Sequence, residues 1–113
     1  MTVLAVLTTT FAFLAGEPSP HPHPVYLPAV ASYYDYGGAA TGACGALRAD
    51  GVANRTLACG TRLVICAARC APAVVDDRGP YIAGRDFDLS VSLAQAVGFD
   101  FDAGVTSIRW RRR

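Results

Sequence analysis

A chain of 113 residues with 52% hydrophobic residues has room for one domain with a packed core. Its formal net charge of +1 argues against polyanion binding as the main business. There is no Lys, and the only Glu, Glu17, precedes the expected domain, so any carboxylate chemistry in the folded part falls to Asp.

From the N-terminus, Val3 to Leu14 is apolar or Thr throughout, and Leu14-Ala15-Gly16 offers small residues for cleavage. The run is too short to span a bilayer comfortably, which predicts a secretory signal over residues 1–16. No Lys or Arg precedes it, so an uncleaved anchor and a mis-set start remain as alternatives. Residues 17–28 carry Pro18, Pro20, Pro22, Pro24 and Pro28 and read as an extended spacer. His21 and His23 lie in it. Two imidazoles so placed can share an ion, but a solvated linker is the plainer reading, and neither a metal nor a cofactor is expected.

The folded domain is expected over residues 29–113. Ala29 to Tyr36 alternates apolar and polar residues, as a strand does. Gly37, Gly38, Gly42 and Gly45 make a loop of the next stretch. Val52–Leu57, Thr61–Cys66, Ala73–Asp76 and Phe87–Leu89 predict four short strands. Ser90 is placed to cap a helix over Ser90–Val97, with Gly98 as its C-cap. Gly104 to Trp110 alternates again and predicts a closing strand. The positive charge gathers at Arg109 and Arg111-Arg112-Arg113. The plain reading of that tail is a frayed, solvated end; the functional one is a weak anchor to an anionic polymer such as a cell wall. Many short strands, frequent Gly turns and one short helix fit an all-β small barrel.

Cys44, Cys59, Cys66 and Cys70 form an even set, spaced by 15, 7 and 4 residues. With an export signal they read as disulfides. Zinc is the competitor, but the set has no C-x-x-C and no neighbouring His. Three pairings are open. Cys66-Ala67-Ala68-Arg69-Cys70 looks like a hairpin tip, which favours a local bridge and leaves Cys44 with Cys59.

The sequence then places a carboxylate at the end of a buried strand. Asp77-Arg78-Gly79-Pro80 follows a short apolar run and precedes a second acidic segment, Gly84-Arg85-Asp86-Phe87-Asp88-Leu89-Ser90. Asp76, on the opposite face, is expected to be solvated or to cap a loop. Arg78 and Arg85 are candidates to pair with Asp86 or Asp88, and Asp88 to hold the helix entrance beside Ser90. Tyr33, Tyr34, Tyr36 and Tyr81 offer faces for sugar rings or for core packing alike. Trp110 reads as core.

Several of these segments, in order, resemble the RlpA-like double-psi β-barrel domain, a relative of the expansin and barwin barrels. They are Ala31-Ser32-Tyr33-Tyr34, Ala43-Cys44-Gly45, Val52-Ala53-Asn54-Arg55-Thr56-Leu57, Cys59-Gly60-Thr61, Asp77-Arg78-Gly79-Pro80-Tyr81, Gly84-Arg85 and Asp88-Leu89-Ser90. The resemblance runs from Ala29 to Trp110 and implies a disulfide-stabilised six-stranded barrel with a sugar-polymer groove across one face. Cys44 and Cys59 resemble those of Cys-containing members, which supports their pairing.

The better-known members are lytic transglycosylases that cut peptidoglycan glycan strands. One carboxyl protonates the glycosidic oxygen and then, as carboxylate, takes a proton from the sugar's 6-hydroxyl to close an anhydro ring. Asp77 matches that acid, the alternative being a carboxylate that accepts from turn amides and holds the loop; Asn54, Tyr33, Tyr34, Tyr81 and Arg78 are candidate substrate contacts. Two positions depart from the active members. Asn54 stands where they have His, and Ala46 where they have Glu; neither can carry a proton at neutral pH. Three readings follow: a lytic transglycosylase, a non-catalytic expansin-like module that binds wall polysaccharide, or a structural barrel in a phage tail or lysis assembly. The implied partner is peptidoglycan glycan or a related polysaccharide rather than nucleic acid. The implied setting is a monomer that is secreted, periplasmic or wall-associated.

Overall fold

A computed structural model describes residues 2–5 and 22–113. The predicted signal, apart from residues 2–5, and the spacer up to His21 lie outside the described residues. His23 is exposed, and among the described residues no cluster of His, Cys, Asp or Glu could hold a metal ion.

The described chain forms β1 (Leu27–Tyr34), β2 (Thr41–Gly42), β3 (Gly45–Ala46), β4 (Gly51–Ala53), β5 (Arg62–Cys66), β6 (Cys70–Asp77), β7 (Phe87–Ser90), α1 (Val91–Ala96) and β8 (Val105–Arg112). Six strands close a barrel in the order β1-β7-β4-β6-β5-β8, and β2 and β3 make a separate two-stranded ribbon. Two pairs are parallel, β1 with β7 and β4 with β6; the other four ladders are antiparallel. The expected six-stranded barrel with one short helix is therefore present.

Period-2 alternation fills the barrel. Ala29 and Ala31 of β1, Leu63 and Ile65 of β5, Ala73 and Val75 of β6, Phe87 and Leu89 of β7, and Ile108 of β8 are all buried. Small Ala side chains on β1 and β6 leave room for Phe87 and Leu63 across the core. Fully burying a Leu or Phe stabilises by about 1.5–3 kcal/mol, so these few large residues carry most of the hydrophobic term.

The helix starts where Ser90 predicts. Its Oγ accepts from Leu93 N at 3.1 Å and donates to Ala49 O at 2.7 Å. Leu93 and Ala94 face inward against the barrel. Gly98 follows the helix with φ +64°, the left-handed turn that favours Gly. Arg69 satisfies the last carbonyls, its Nε donating to Ala96 O at 3.2 Å and an Nη to Gln95 O at 3.1 Å.

Several boundaries differ from the sequence reading. β1 begins at Leu27, so Leu27 and Pro28 of the expected spacer are strand. Pro28 is tolerated because β1 pairs only with β8 there; the β7 ladder starts at Ala31. β4 stops at Ala53 rather than running to Leu57, because the side-chain Oδ1 of Asn54 accepts from the amides of Thr56 (3.0 Å) and Leu57 (2.8 Å) and turns the chain. β6 starts at Cys70. The arginine tail is not a frayed end: Arg111 and Arg112 pair with Val64 and Leu63, and Arg113 N donates to Arg62 O at 3.0 Å.

Cys66 bridges Cys70 and Cys44 bridges Cys59. In the chain-entropy picture the 15-residue separation of Cys44 and Cys59 is worth about 3 kcal/mol, and the short hairpin bridge about 2. Replacing both Cys44 and Cys59 by Ser should therefore lower unfolding free energy in urea more than replacing Cys66 and Cys70. The reverse ranking would show that native contacts, rather than loop closure, set the contribution of each bridge.

Candidate functional site

The site forms where β4 and β6 run side by side. Ala53 registers with Asp77 across a bulge between Val52 and Ala53, and Asn54 N donates to Asp77 O at 3.2 Å. Successive strand residues point to opposite faces, so Asp76 and Asp77 clamp different parts of the preceding loop. Asp77 Oδ1 accepts from Ala43 N at 2.8 Å and Arg78 N at 2.9 Å. Its Oδ2 takes no hydrogen bond among the described residues. A Cβ at Gly42 would lie 2.7 Å from Asp77 Cγ, so only Gly lets the ribbon come this close.

Asp76 is 3% exposed and accepts from Arg48 N at 2.8 Å through Oδ2, while Oδ1 is buried with no partner. It caps the loop as one expectation had it, but it is not solvated. Burial raises its pKa above the usual carboxylate value; the Arg48 amide opposes this and the nearby Asp77 adds to it. A Cβ on Gly51 would run into the Asp76 carboxylate, so this clamp too demands Gly.

Asp88 does not hold the helix entrance, which belongs to Ser90. On β7 it lies opposite Ser32 of β1, whose Oγ donates to Asp88 Oδ1 at 3.0 Å. Burial raises its pKa; the Ser32 hydrogen bond and Arg85 pull the other way. Tyr34 completes the group. Its hydroxyl is shut off from solvent with no hydrogen-bond partner among the described residues. Its pKa is raised, first by burial and then by Asp76, Asp77 and Asp88 in turn. The sequence reading missed this setting of a phenol among three carboxylates. It depends on the parallel β1–β7 register, which no local pattern encodes.

The remaining candidates separate. The Asn54 side chain is consumed internally: besides the two turn amides, its Nδ2 donates to Asp86 O at 3.0 Å. Arg78 pairs with neither Asp86 nor Asp88. Its guanidinium donates to Asn54 O at 3.0 Å, to Leu57 O and to Cys59 Sγ, fastening the 54–59 loop. Asp86 Oδ2 instead accepts from Val30 N at 2.9 Å. Tyr33 packs edge-on against Phe101 and Phe99, with centroids 4.7 and 5.6 Å away. Tyr81 is 79% exposed. Ala46 lies exposed in β3.

Two clefts flank this region. One, of about 430 Å³, is lined by Leu27, Asn54, Leu57, Phe87 and Trp110 among others, so Trp110 is half-buried at a cleft wall rather than enclosed in the core. The other, of about 300 Å³, is lined by Arg55, Tyr81, Ile82 and Ala83. Arg55 lines both and holds the loop between them, donating to the carbonyls of Pro80 and Arg85 at 2.6 Å each. Asp77 lines neither cleft.

Residues 28–110 match the family model described as lytic transglycolase. Among solved structures, the chain is similar to the apo form of an expansin from Clavibacter michiganensis, at 27% identity with a TM-score of 0.65. It is likewise similar to an Asp-to-Asn mutant of a Clavibacter michiganensis expansin in complex with cellohexaose, at 26% identity with a TM-score of 0.66. Each match covers 79% of this chain and 50% of the expansin chain, so the chain spans about half the length of those proteins. A Streptomyces papain inhibitor shares the fold at 23% identity and a TM-score of 0.56, with 78% of this chain and 94% of the inhibitor covered. No curated protein matches the chain.

The raised pKa values of Asp76 and Asp88 set a pH dependence. The folded state keeps protons on these groups that the unfolded chain gives up near an Asp value of about 3.9. Their contribution is fully present below that value and is lost as pH rises through the raised folded values. Asp88→Asn retains an acceptor for Ser32 and removes the charge. Its melting temperature should fall less than the wild type's as pH rises from about 4. An identical slope in both proteins would show that Asp88 is ionised freely in the fold.

Proposed function

The chain belongs to the lytic transglycolase family, and from that membership we propose that it is an exported protein that binds wall polysaccharide without cutting it. The polymer lies along the two clefts joined at Arg55, with Trp110 at one end and Tyr81 at the other. Aromatic faces suit the C–H surfaces of pyranose rings, and guanidinium, amide and hydroxyl groups suit their rims. The expansin whose complex holds cellohexaose supports a linear glycan as the ligand class.

One observation carries the non-catalytic reading. At the position where active relatives carry His, Asn54 spends its oxygen on two turn amides and an N–H on Asp86 O. Ala46 is aliphatic. No group able to relay a proton therefore stands at either place, and loss of such support costs orders of magnitude in rate.

A second reading is favoured by the Asp77 carboxylate itself. Two amides fix its Oδ1, and Oδ2 has no partner among the described residues, as an acid–base group requires. On this reading Asp77 protonates the glycosidic oxygen, the bond to the leaving sugar breaks, and the returned carboxylate takes the proton of the 6-hydroxyl as it closes on the anomeric carbon.

Incubating the purified chain with peptide-free glycan strands and insoluble wall separates the two. Binding alone predicts co-sedimentation with no anhydro-ended product by mass spectrometry. Tyr81→Ala, at an exposed position, should weaken retention about threefold to tenfold. Anhydro product that disappears in Asp77→Asn would establish the transglycosylase instead. Neither retention nor product would remove both readings.

A further inference from the structure

We propose that the outer face of β5 and β8 is a docking surface for a linear polyol-phosphate polymer of the wall, held by Arg62, Arg109, Arg111 and Arg113. The face is a product of register. Ile108 and Trp110 alternate with the arginines along β8, and Ile108 is buried in the barrel, so Arg109 and Arg111 project outward. Arg113 continues the alternation, and its backbone pairs with Arg62 at the start of β5. Arginines two residues apart on a strand recur about every 7 Å.

No opposite charge is interleaved. Arg109 registers with Pro28 and Cys66, Arg111 with Val64, and Arg62 with Val74. Asp50 is the acid that approaches from the edge, and it is already in an ion pair with Arg48 at 2.7 Å. That is the one ion pair among the described residues; Arg62, Arg109 and Arg113 are exposed and Arg111 is half-buried, and of the four only Arg113 is among the charges acting on Asp50. A net charge of +1 thus hides a concentrated local field, with Asp76, Asp77 and Asp88 gathered near Tyr34 instead.

The row is partly pre-ordered. The Arg111 guanidinium lies 5.5 Å over the Tyr26 ring and donates to Arg112 O at 3.1 Å, and Arg113 reaches Ala73 O at 3.4 Å. A guanidinium fork matches phosphate oxygens bidentately. An open-chain polyol phosphate bears a charge at every repeat and can bend to follow the row, whereas a stiff uronate ribbon cannot. Nucleic acid fits less well, because the aromatic ring on this face is covered by Arg111 and offers bases no platform.

The inference stands apart from the cleft between Trp110 and Tyr81, and the test keeps them separate. Affinity of the full chain for synthetic poly(glycerol phosphate) is measured by calorimetry, beside polygalacturonate, oligo-dT and neutral peptide-free glycan. Wild-type affinity for poly(glycerol phosphate) should fall at least tenfold between about 0.05 and 0.5 M salt. The double variant Arg62→Gln/Arg109→Gln, at two exposed positions, should bind it about tenfold more weakly at low salt while neutral-glycan retention and melting temperature stay unchanged. Unchanged affinity in that variant overturns the proposal. So does tighter binding of polygalacturonate or oligo-dT than of poly(glycerol phosphate).

Discussion

The loop between β2 and β4 is held to the barrel by two neighbouring carboxylates, and the site depends on that clamp. Asp76 takes the Arg48 amide on one face of β6, and Asp77 takes the Ala43 amide on the other. Both contacts need a Gly opposite, Gly51 for the first and Gly42 for the second. The disulfide from Cys44 to Cys59 fastens the same loop covalently. The arrangement accepts a cost: one oxygen of Asp76 is buried with nothing to bond, which ordinarily destabilises by about 1–3 kcal/mol.

The same clamp limits chemistry. A carboxylate that orders a loop through one oxygen has a single oxygen left for a ligand. Beside it, Asn54 has become a turn-former, and Arg78 a strap across the 54–59 loop. Polar groups that in another member could act on a substrate are here turned inward. Along the clefts that meet at Arg55, apolar and aromatic side chains such as Leu57, Phe87, Trp110 and Tyr81 share the walls with Arg55 and Thr56.

Local chemistry was legible in the sequence, and long-range pairing was not. Ser90 declares a helix start through its own hydroxyl, and Cys66 with Cys70 declares a hairpin through their spacing. β1 and β8 were legible from their two-residue alternation, and β5 and β7 from short apolar runs. The stop of β4 at Ala53 was missed because an Asn side chain, not a Gly or Pro, breaks the strand. Asp88 was misplaced because it sits next to the helix in sequence yet answers to Ser32, 56 residues away. Likewise the acidic surroundings of Tyr34 arise only once β1 lies parallel to β7. The arginine tail looked like an unstructured end because charge repetition masks a two-residue period in which Ile108 and Trp110 are the inward members.

The small bridge at the tip of β5 and β6 has reach beyond its own hairpin. Arg69, inside the five-residue ring closed by Cys66 and Cys70, grips the carbonyls of Gln95 and Ala96, and its own amide meets Val97 O at 3.0 Å. The short covalent ring thus braces the end of α1 as well as its own hairpin, tying together residues 26 and 27 positions apart in the chain.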